Sequence, residues 1–228
     1  MAFDTLTPIY PEGGTFPHGE NPLSDGGKWR MYSTRPPLQS KADGSALIGT
    51  VEFAVNGSYY AALPFQGKVV EAYGCRPESG LGAALESHRI VALFGDPDGY
   101  TGYSSGFGGG IGESYFFRLY SGGTSSFVGI GDDGAADGGV GAGGPRPRKL
   151  GIRITPDRVQ QWGWTSATGW FLVQTHFGTE YRGQCFFALE TEEQGGLNEV
   201  GWTCFFAQEI RRTQFYRWLP SLTPGELE

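Results

Sequence analysis

Polar and apolar residues alternate with a period of two over residues 149–155. Leu150, Ile152 and Ile154 fall on one side; Lys149, Gly151, Arg153 and Thr155 fall on the other. Successive side chains of a strand point to opposite faces, so the pattern predicts a strand with one buried face. Residues 114–120 alternate likewise, with Tyr115, Phe117 and Leu119 opposed to Phe116, Arg118 and Tyr120. Further strands are predicted over residues 68–75, 89–94, 184–190 and 200–211. Residues 158–164 and 170–176 read as the two arms of a hairpin. Thr155-Pro156-Asp157 could cap a helix there, but the flanking strand patterns favour a turn. Asn56-Gly57, set between β-formers from Val51 to Tyr60, predicts another hairpin, because both residues tolerate the positive φ of a tight turn. No amphipathic helix and no repeat of fixed period is found. Short strands separated by turns such as Gly95-Asp96-Pro97-Asp98-Gly99 predict an all-β fold, a two-sheet antiparallel β-sandwich or a barrel.

Composition sharpens the class. The 228 residues include 39 Gly and 14 Pro, close to the share that marks disorder, yet 14% are aromatic. Disordered chains are poor in aromatics, so this one is folded and rich in turns. A formal net charge of −7 argues against nucleic acid as a partner, since phosphate binding needs clustered Lys and Arg. No apolar run is long enough for a membrane-spanning helix, so no membrane partner is expected. The opening Met-Ala-Phe-Asp-Thr-Leu-Thr-Pro lacks the basic and apolar regions of a secretory signal. Synthesis in the cytoplasm is expected, with export only inside an assembly. Starting at its own Met, the chain is expected to stand alone rather than form part of a long fibre. Cys75, Cys185 and Cys204 have no Cys-x-x-Cys spacing and are odd in number. That argues against zinc, thioredoxin-type chemistry and a disulfide framework; three small buried apolar side chains are expected.

Glu20-Asn21-Pro22-Leu23-Ser24-Asp25-Gly26-Gly27-Lys28-Trp29 resembles the opening of bacteriophage-encoded concanavalin A-like jelly-roll proteins. Gly99-Tyr100, residues 115–120, Leu150-Gly151-Ile152-Arg153-Ile154 and Trp170-Phe171-Leu172-Val173 follow in that family's order. So do Gly178-Thr179-Glu180-Tyr181-Arg182-Gly183 and Phe205-Phe206-Ala207-Gln208-Glu209. The resemblance implies a concanavalin A-like jelly roll over residues 16–211, an extended N-terminal arm over 1–15 and a C-terminal tail over 212–228. Its superfamily includes lectins, glycosidases, laminin-G-like modules and virion proteins, so it bears on fold more than on function. Family glucanases carry Glu-x-Asp-x-x-Glu on one strand. Here Glu190-Thr191-Glu192-Glu193 comes nearest, but it lacks the central Asp and runs into Gly195-Gly196. Glu190 and Glu192 would share a face at a spacing a retaining pair can use; the incomplete motif argues against catalysis.

Gly129-Ile130-Gly131-Asp132-Asp133-Gly134 matches Gly-x-Gly-x-x-Gly, but the glycines that follow cannot begin a helix, and aspartates repel phosphate. Asp132, Asp133 and Asp137 in that loop, with Asp96 and Asp98 in the earlier turn, are calcium candidates, since the ion prefers carboxylates on flexible loops. The plainer reading is solvated loops. His18, His88 and His176 are scattered, and His176 is expected to be structural and partly buried. No Gly-x-Ser-x-Gly elbow occurs. Trp162 and Trp164 share a face with Gln160, and Trp170 stands across the hairpin. Such rings fill a core or, where exposed, stack on the C–H faces of sugars, so these four residues are the glycan-contact candidates.

Phe3, Tyr10, Phe215, Tyr216 and Trp218 lie in the terminal segments. They either pack on the sandwich or dock on a partner chain, since exposed apolar area is unfavourable and extended arms can add strands to a neighbour's edge. These readings lead to a non-enzymatic phage virion protein, tail-associated or capsid-decorating. Its expected partners are further copies of itself, other virion proteins and a host-surface polysaccharide. The alternatives are a polysaccharide-degrading hydrolase or lyase, and a free-standing lectin.

Overall fold

The computed structural model describes residues 9, 16, 28–51, 54–77, 87–108, 114–127, 147–192 and 200–210. Their regular structure is strand, apart from one 3-10 turn at Pro97–Gly99. Strands are numbered along the chain. A seven-stranded sheet has the order β1 (Trp29–Met31), β4 (Val55–Phe65), β13 (Cys185–Glu192), β6 (Ser87–Phe94), β7 (Gly102–Gly108), β8 (Ser114–Ser121) and β9 (Thr124–Phe127). A five-stranded sheet has the order β12 (Gly169–Phe177), β11 (Arg158–Thr165), β10 (Lys149–Ile154), β5 (Val69–Cys75) and β15 (Cys204–Ile210). A small third sheet joins β14 (Gly201–Trp202), β3 (Leu47–Gly49) and β2 (Leu38–Ser40). Every pairing is antiparallel.

Alternation decides what faces the core. Leu150, Ile152 and Ile154 stand opposite Gly74, Ala72 and Val70 in register and are fully buried. The seven-stranded sheet answers with Ile90, Ala92, Phe187 and Leu189, and with Tyr103, Phe107, Tyr115 and Phe117. Trp29 plugs one side, its ring 5.4 Å from Tyr60 and 5.1 Å from Phe205. Each such side chain contributes roughly 1.5–3 kcal/mol on leaving water. Many of the described aromatic rings thus pack between the sheets. The alternation over residues 114–120 holds: Tyr115 and Phe117 face this core, while Phe116, Arg118 and Tyr120 take the outer face. Thr155-Pro156-Asp157 is a turn between β10 and β11, closed by a Thr155 N–H to Arg158 carbonyl bond of 2.9 Å.

Two expectations are corrected. Asn56-Gly57 does not turn the chain. β4 runs through both residues, with Asn56 opposite Thr191 and Gly57 opposite Glu190 on β13. The Asn56 amide instead secures the bend before the strand: Oδ1 accepts from the Thr50 and Val51 amides, and Nδ2 donates to the Val51 and Ala54 carbonyls. The three cysteines are not all free. Cys75 and Cys204 are direct neighbours across β5 and β15 and form a disulfide, leaving Cys185 as the buried free thiol. An odd count leaves one cysteine over and does not stop two others pairing.

The terminal residues Phe3, Tyr10, Phe215, Tyr216 and Trp218 lie outside the described residues, as do most of the proposed arm and all of the tail. Ile9 is described and packs, partly buried, against the core.

Candidate functional site

The sequence-derived aromatic patch lies on the outer face of the five-stranded sheet. Gln160, Trp162 and Trp164 pair with Arg153, Gly151 and Lys149 of β10, while Gln161 and Gly163 point inward. The Lys149 ammonium lies 4.3 Å from the Trp164 ring centre, and the Arg153 guanidinium lies 5.3 Å from that of Trp162. Arg153 is fixed by a 2.8 Å bond from Nε to Glu71, whose other oxygen accepts from Gln208 at 2.7 Å. Trp162 and Trp164 stay partly exposed, and Leu172 beside Trp162 is 46% exposed. Trp170 differs: it is only 4% exposed and stands edge-on to Tyr73 at 5.3 Å. Tyr73 in turn stacks on Phe206 at 5.1 Å. Trp170 is thus packing, and the usable surface narrows to Trp162, Trp164 and Gln160 with the two cations. His176 is partly buried, its ring 5.6 Å from Tyr103, as a structural residue should be.

The outer face of the seven-stranded sheet carries a cluster that the sequence only hinted at. Glu190, in the middle of that sheet, is 0% exposed. Its Oε1 accepts from Arg35 Nη1 at 2.8 Å and from the Tyr100 hydroxyl at 2.7 Å. Arg89 stands beside it on β6, 3.9 Å from Oε2, and also pairs with Glu192. The Arg35 guanidinium lies 4.0 Å over the Tyr100 ring. Burial, reinforced by the Glu190 charge, pushes the Tyr32 and Tyr100 hydroxyls well above the usual tyrosine range, so both remain donors. Burial is the largest influence on Arg35 and Arg89 and works to lower their values, but Glu190 and the neighbouring tyrosines, joined for Arg89 by Glu192, together outweigh it and leave both raised.

Two glycines make room for this cluster. A Cβ on Gly57 would stand 2.9 Å from the Tyr32 ring and 3.0 Å from Glu190 Cγ, and a Cβ on Gly106 would fall inside the Phe116 ring. Gly57 is therefore a close-approach glycine, which is why the Asn-Gly signal misled. Arg35, Arg89, Tyr32 and Tyr100 had no local signal, because their partner Glu190 is remote in sequence.

Asp96 and Asp98 serve the 3-10 turn. Asp96 accepts from the Asp98 amide at 3.0 Å, and Asp98 accepts from the Ser33 amide at 3.2 Å. Calcium needs six to eight oxygen ligands. Among the described residues no three His, Cys, Asp or Glu side chains converge on this pair. Asp132, Asp133 and Asp137 lie outside the described residues.

A scan of protein-family models and a search of curated proteins found no match. Solved structures do match. The exoplasmic/lumenal domain of VIP36 in its Ca2+/Man2-bound form is 11% identical, with a TM-score of 0.56 over 93% of this chain and 89% of that one. The legume lectin-like domain from Entamoeba histolytica is 8% identical, with a TM-score of 0.50 over 81% of this chain and 91% of that one. The CBM2 module of the evolved Dit of Lactobacillus casei BL23 phage J-1 is 9% identical, with a TM-score of 0.50 over 79% and 89%. The protein thus has the all-β, concanavalin A-like lectin fold that its sequence predicted.

Proposed function

We propose that this protein is a non-catalytic glycan-binding module that recognises a surface polysaccharide as part of a phage particle. The observation that carries the glycan reading is the Trp162–Trp164 pair on the outer sheet face. Their rings offer surface for sugar C–H groups, and Lys149, Arg153 and Gln160 set hydrogen-bond donors beside them. The mannose-bound VIP36 domain supports the same reading through its fold. The absence of catalysis is supported by the state of the two carboxylates. A glycosidase needs one carboxyl free to deliver a proton and a second facing it across the bond. Glu190 is buried beneath Arg35 and Tyr100, and Glu192 is engaged by Arg89. The virion role draws support from the phage Dit module among the matched folds.

A second reading, a free-standing lectin in an oxidising compartment, is favoured by the Cys75–Cys204 disulfide, because such bonds persist outside reducing cytoplasm.

The test is a polysaccharide and glycan array with the full chain and with Trp164→Ala. Binding that the variant loses is expected, with no release of reducing ends. Failure of the full chain to bind any glycan overturns the reading. So does reducing-end release that vanishes in the Glu190→Gln, Glu192→Gln double variant.

A further inference from the structure

The outer face of the five-stranded sheet carries a cation without a carboxylate. Among the described residues, Glu71, Lys149, Arg153 and Arg158 bring charge to that face. Glu71 is fully buried, and both its oxygens are taken, one by Arg153 and the other by Gln208. Arg158 pairs with Asp157 in the adjoining turn. Lys149 is left over. Among the described residues its ammonium makes no ion pair; it rests 4.3 Å from the Trp164 ring centre and 5.9 Å from that of Tyr73. In a chain with a formal net charge of −7, a surplus cation beside two partly exposed tryptophans reverses the sign locally.

That surplus bears on which sugars the face suits. Lys149 and Arg153 donate and cannot accept, whereas every sugar hydroxyl needs an acceptor for its own proton. Glu71, buried with both oxygens bonded, turns none towards solvent. An oxyanion on the guest reverses the need. It brings acceptors only, and it meets the ammonium in a charge-assisted bond, which is stronger than a neutral one. Lys149 and Trp164 are direct neighbours across β10 and β11, and Trp162 follows on the same face. A sugar chain laid along the two rings therefore passes beside the ammonium. A neutral chain would leave that charge facing the rings alone.

We infer that the glycan taken by the tryptophan face is anionic, with a carboxylate or phosphate group that pairs with Lys149. The inference rests on the glycan-binding reading and names the chemical class of its ligand.

Lys149→Met isolates the charge, since the variant keeps an unbranched apolar side chain beside Trp164. Polygalacturonate, alginate and hyaluronate, each beside its carboxyl-reduced form, and poly(glycerol phosphate) are titrated into the full chain and followed by calorimetry. At least one anionic polymer should bind, and Trp164→Ala should abolish that binding. Where the polymer is a uronate, its carboxyl-reduced form should bind about tenfold more weakly; binding of poly(glycerol phosphate) alone assigns the oxyanion to phosphate. Lys149→Met should weaken the bound polymer about tenfold, the scale of one charge-assisted hydrogen bond, and should flatten its salt dependence. Lys149→Arg should retain binding. Lys68→Met, which removes the same charge from an exposed bend between β4 and β5, should bind as the parent does. Reduced polymers that bind as tightly as the anionic ones overturn the proposal, as does unchanged affinity in Lys149→Met. Binding that Trp164→Ala still abolishes would then leave the glycan reading standing. If no anionic polymer binds, the anionic site is refuted, while the array with Trp164→Ala decides the glycan reading separately.

Discussion

Arg35 lies 4.0 Å above the ring of Tyr100 while its Nη1 donates to Glu190, a residue 155 positions later in the chain. The segment that follows β1 is thereby fastened to the centre of the seven-stranded sheet by one charged group. Breaking a buried pair from one side leaves an uncompensated charge and costs about 3–5 kcal/mol. Glu190→Ala strands Arg35 and leaves Arg89 with Glu192 alone, and should show that full loss in urea unfolding. Arg35→Met should cost clearly less, since Arg89 still faces Glu190 and the Arg35 side chain touches solvent. Equal losses in the two variants would contradict this account.

The disulfide closes a loop of 129 residues from β5 to β15. In the chain-entropy view, a loop of that size stabilises by roughly 5 kcal/mol through the unfolded state, although engineered bonds often deliver less. The Cys75→Ser, Cys204→Ser double variant should therefore unfold at much lower urea, with a steeper denaturant slope because its unfolded chain is no longer cross-linked. Because Cys185 is buried and burial holds its thiol well above the usual range, it should resist alkylation until the protein unfolds.

What the sequence revealed was whatever a period of two can carry. The strand at Lys149–Ile154, the hairpin from Arg158 to Phe177 and the intervening turn at Pro156 are local patterns, and each was readable. Gly57 was misread because a glycine that admits a turn and a glycine that admits a neighbouring ring look alike in one dimension. Tyr32 and Glu190, which need it bare, are brought to it by register alone. The cysteine pair was missed for the same reason: Cys75 and Cys204 meet only once β15 lies beside β5. The tryptophan patch was half legible. Alternation placed Trp162 and Trp164 together correctly, but nothing local distinguished them from Trp170, which Tyr73 covers.

Stability should fall in mild acid through His88. The imidazole is buried, with Nδ1 accepting from Arg76 Nε at 3.2 Å and Nε2 facing the Gly201 carbonyl at 2.9 Å. Burial first, then the Arg76 charge, holds its pKa well below the usual histidine value of 6.5. The unfolded chain therefore binds the proton more readily than the native one. This contribution is fully present above the unfolded pKa and is lost as pH falls below it, by up to about 1.4 kcal/mol per pH unit. Melting curves between neutral pH and pH about 5 should show the decline. His88→Gln should start lower at neutral pH yet decline less steeply, and a parallel decline would assign the acid sensitivity elsewhere.

Gly57 and Gly99 should respond oppositely to alanine. Gly57 has ordinary strand geometry, so the objection to a side chain there is space alone. The new methyl would press on the Tyr32 ring and on Glu190 Cγ. Neither can retreat easily: Tyr32 is wedged between Tyr59 and Tyr100, and Glu190 is held by Arg35 and Tyr100. Overpacking of this kind costs about 1–3 kcal/mol. At this chain length that lowers the melting temperature by about 2–4 °C per kcal/mol. Gly99, in the 3-10 turn, meets nothing nearer than Asp96 Cβ at 3.9 Å. Alanine there restricts the unfolded chain at no native cost, so a gain of about 0.4–1 kcal/mol is expected. Calorimetry on the two variants reads both signs. If Gly57→Ala melts with the parent, the contact between Tyr32 and Glu190 over β4 is looser than described.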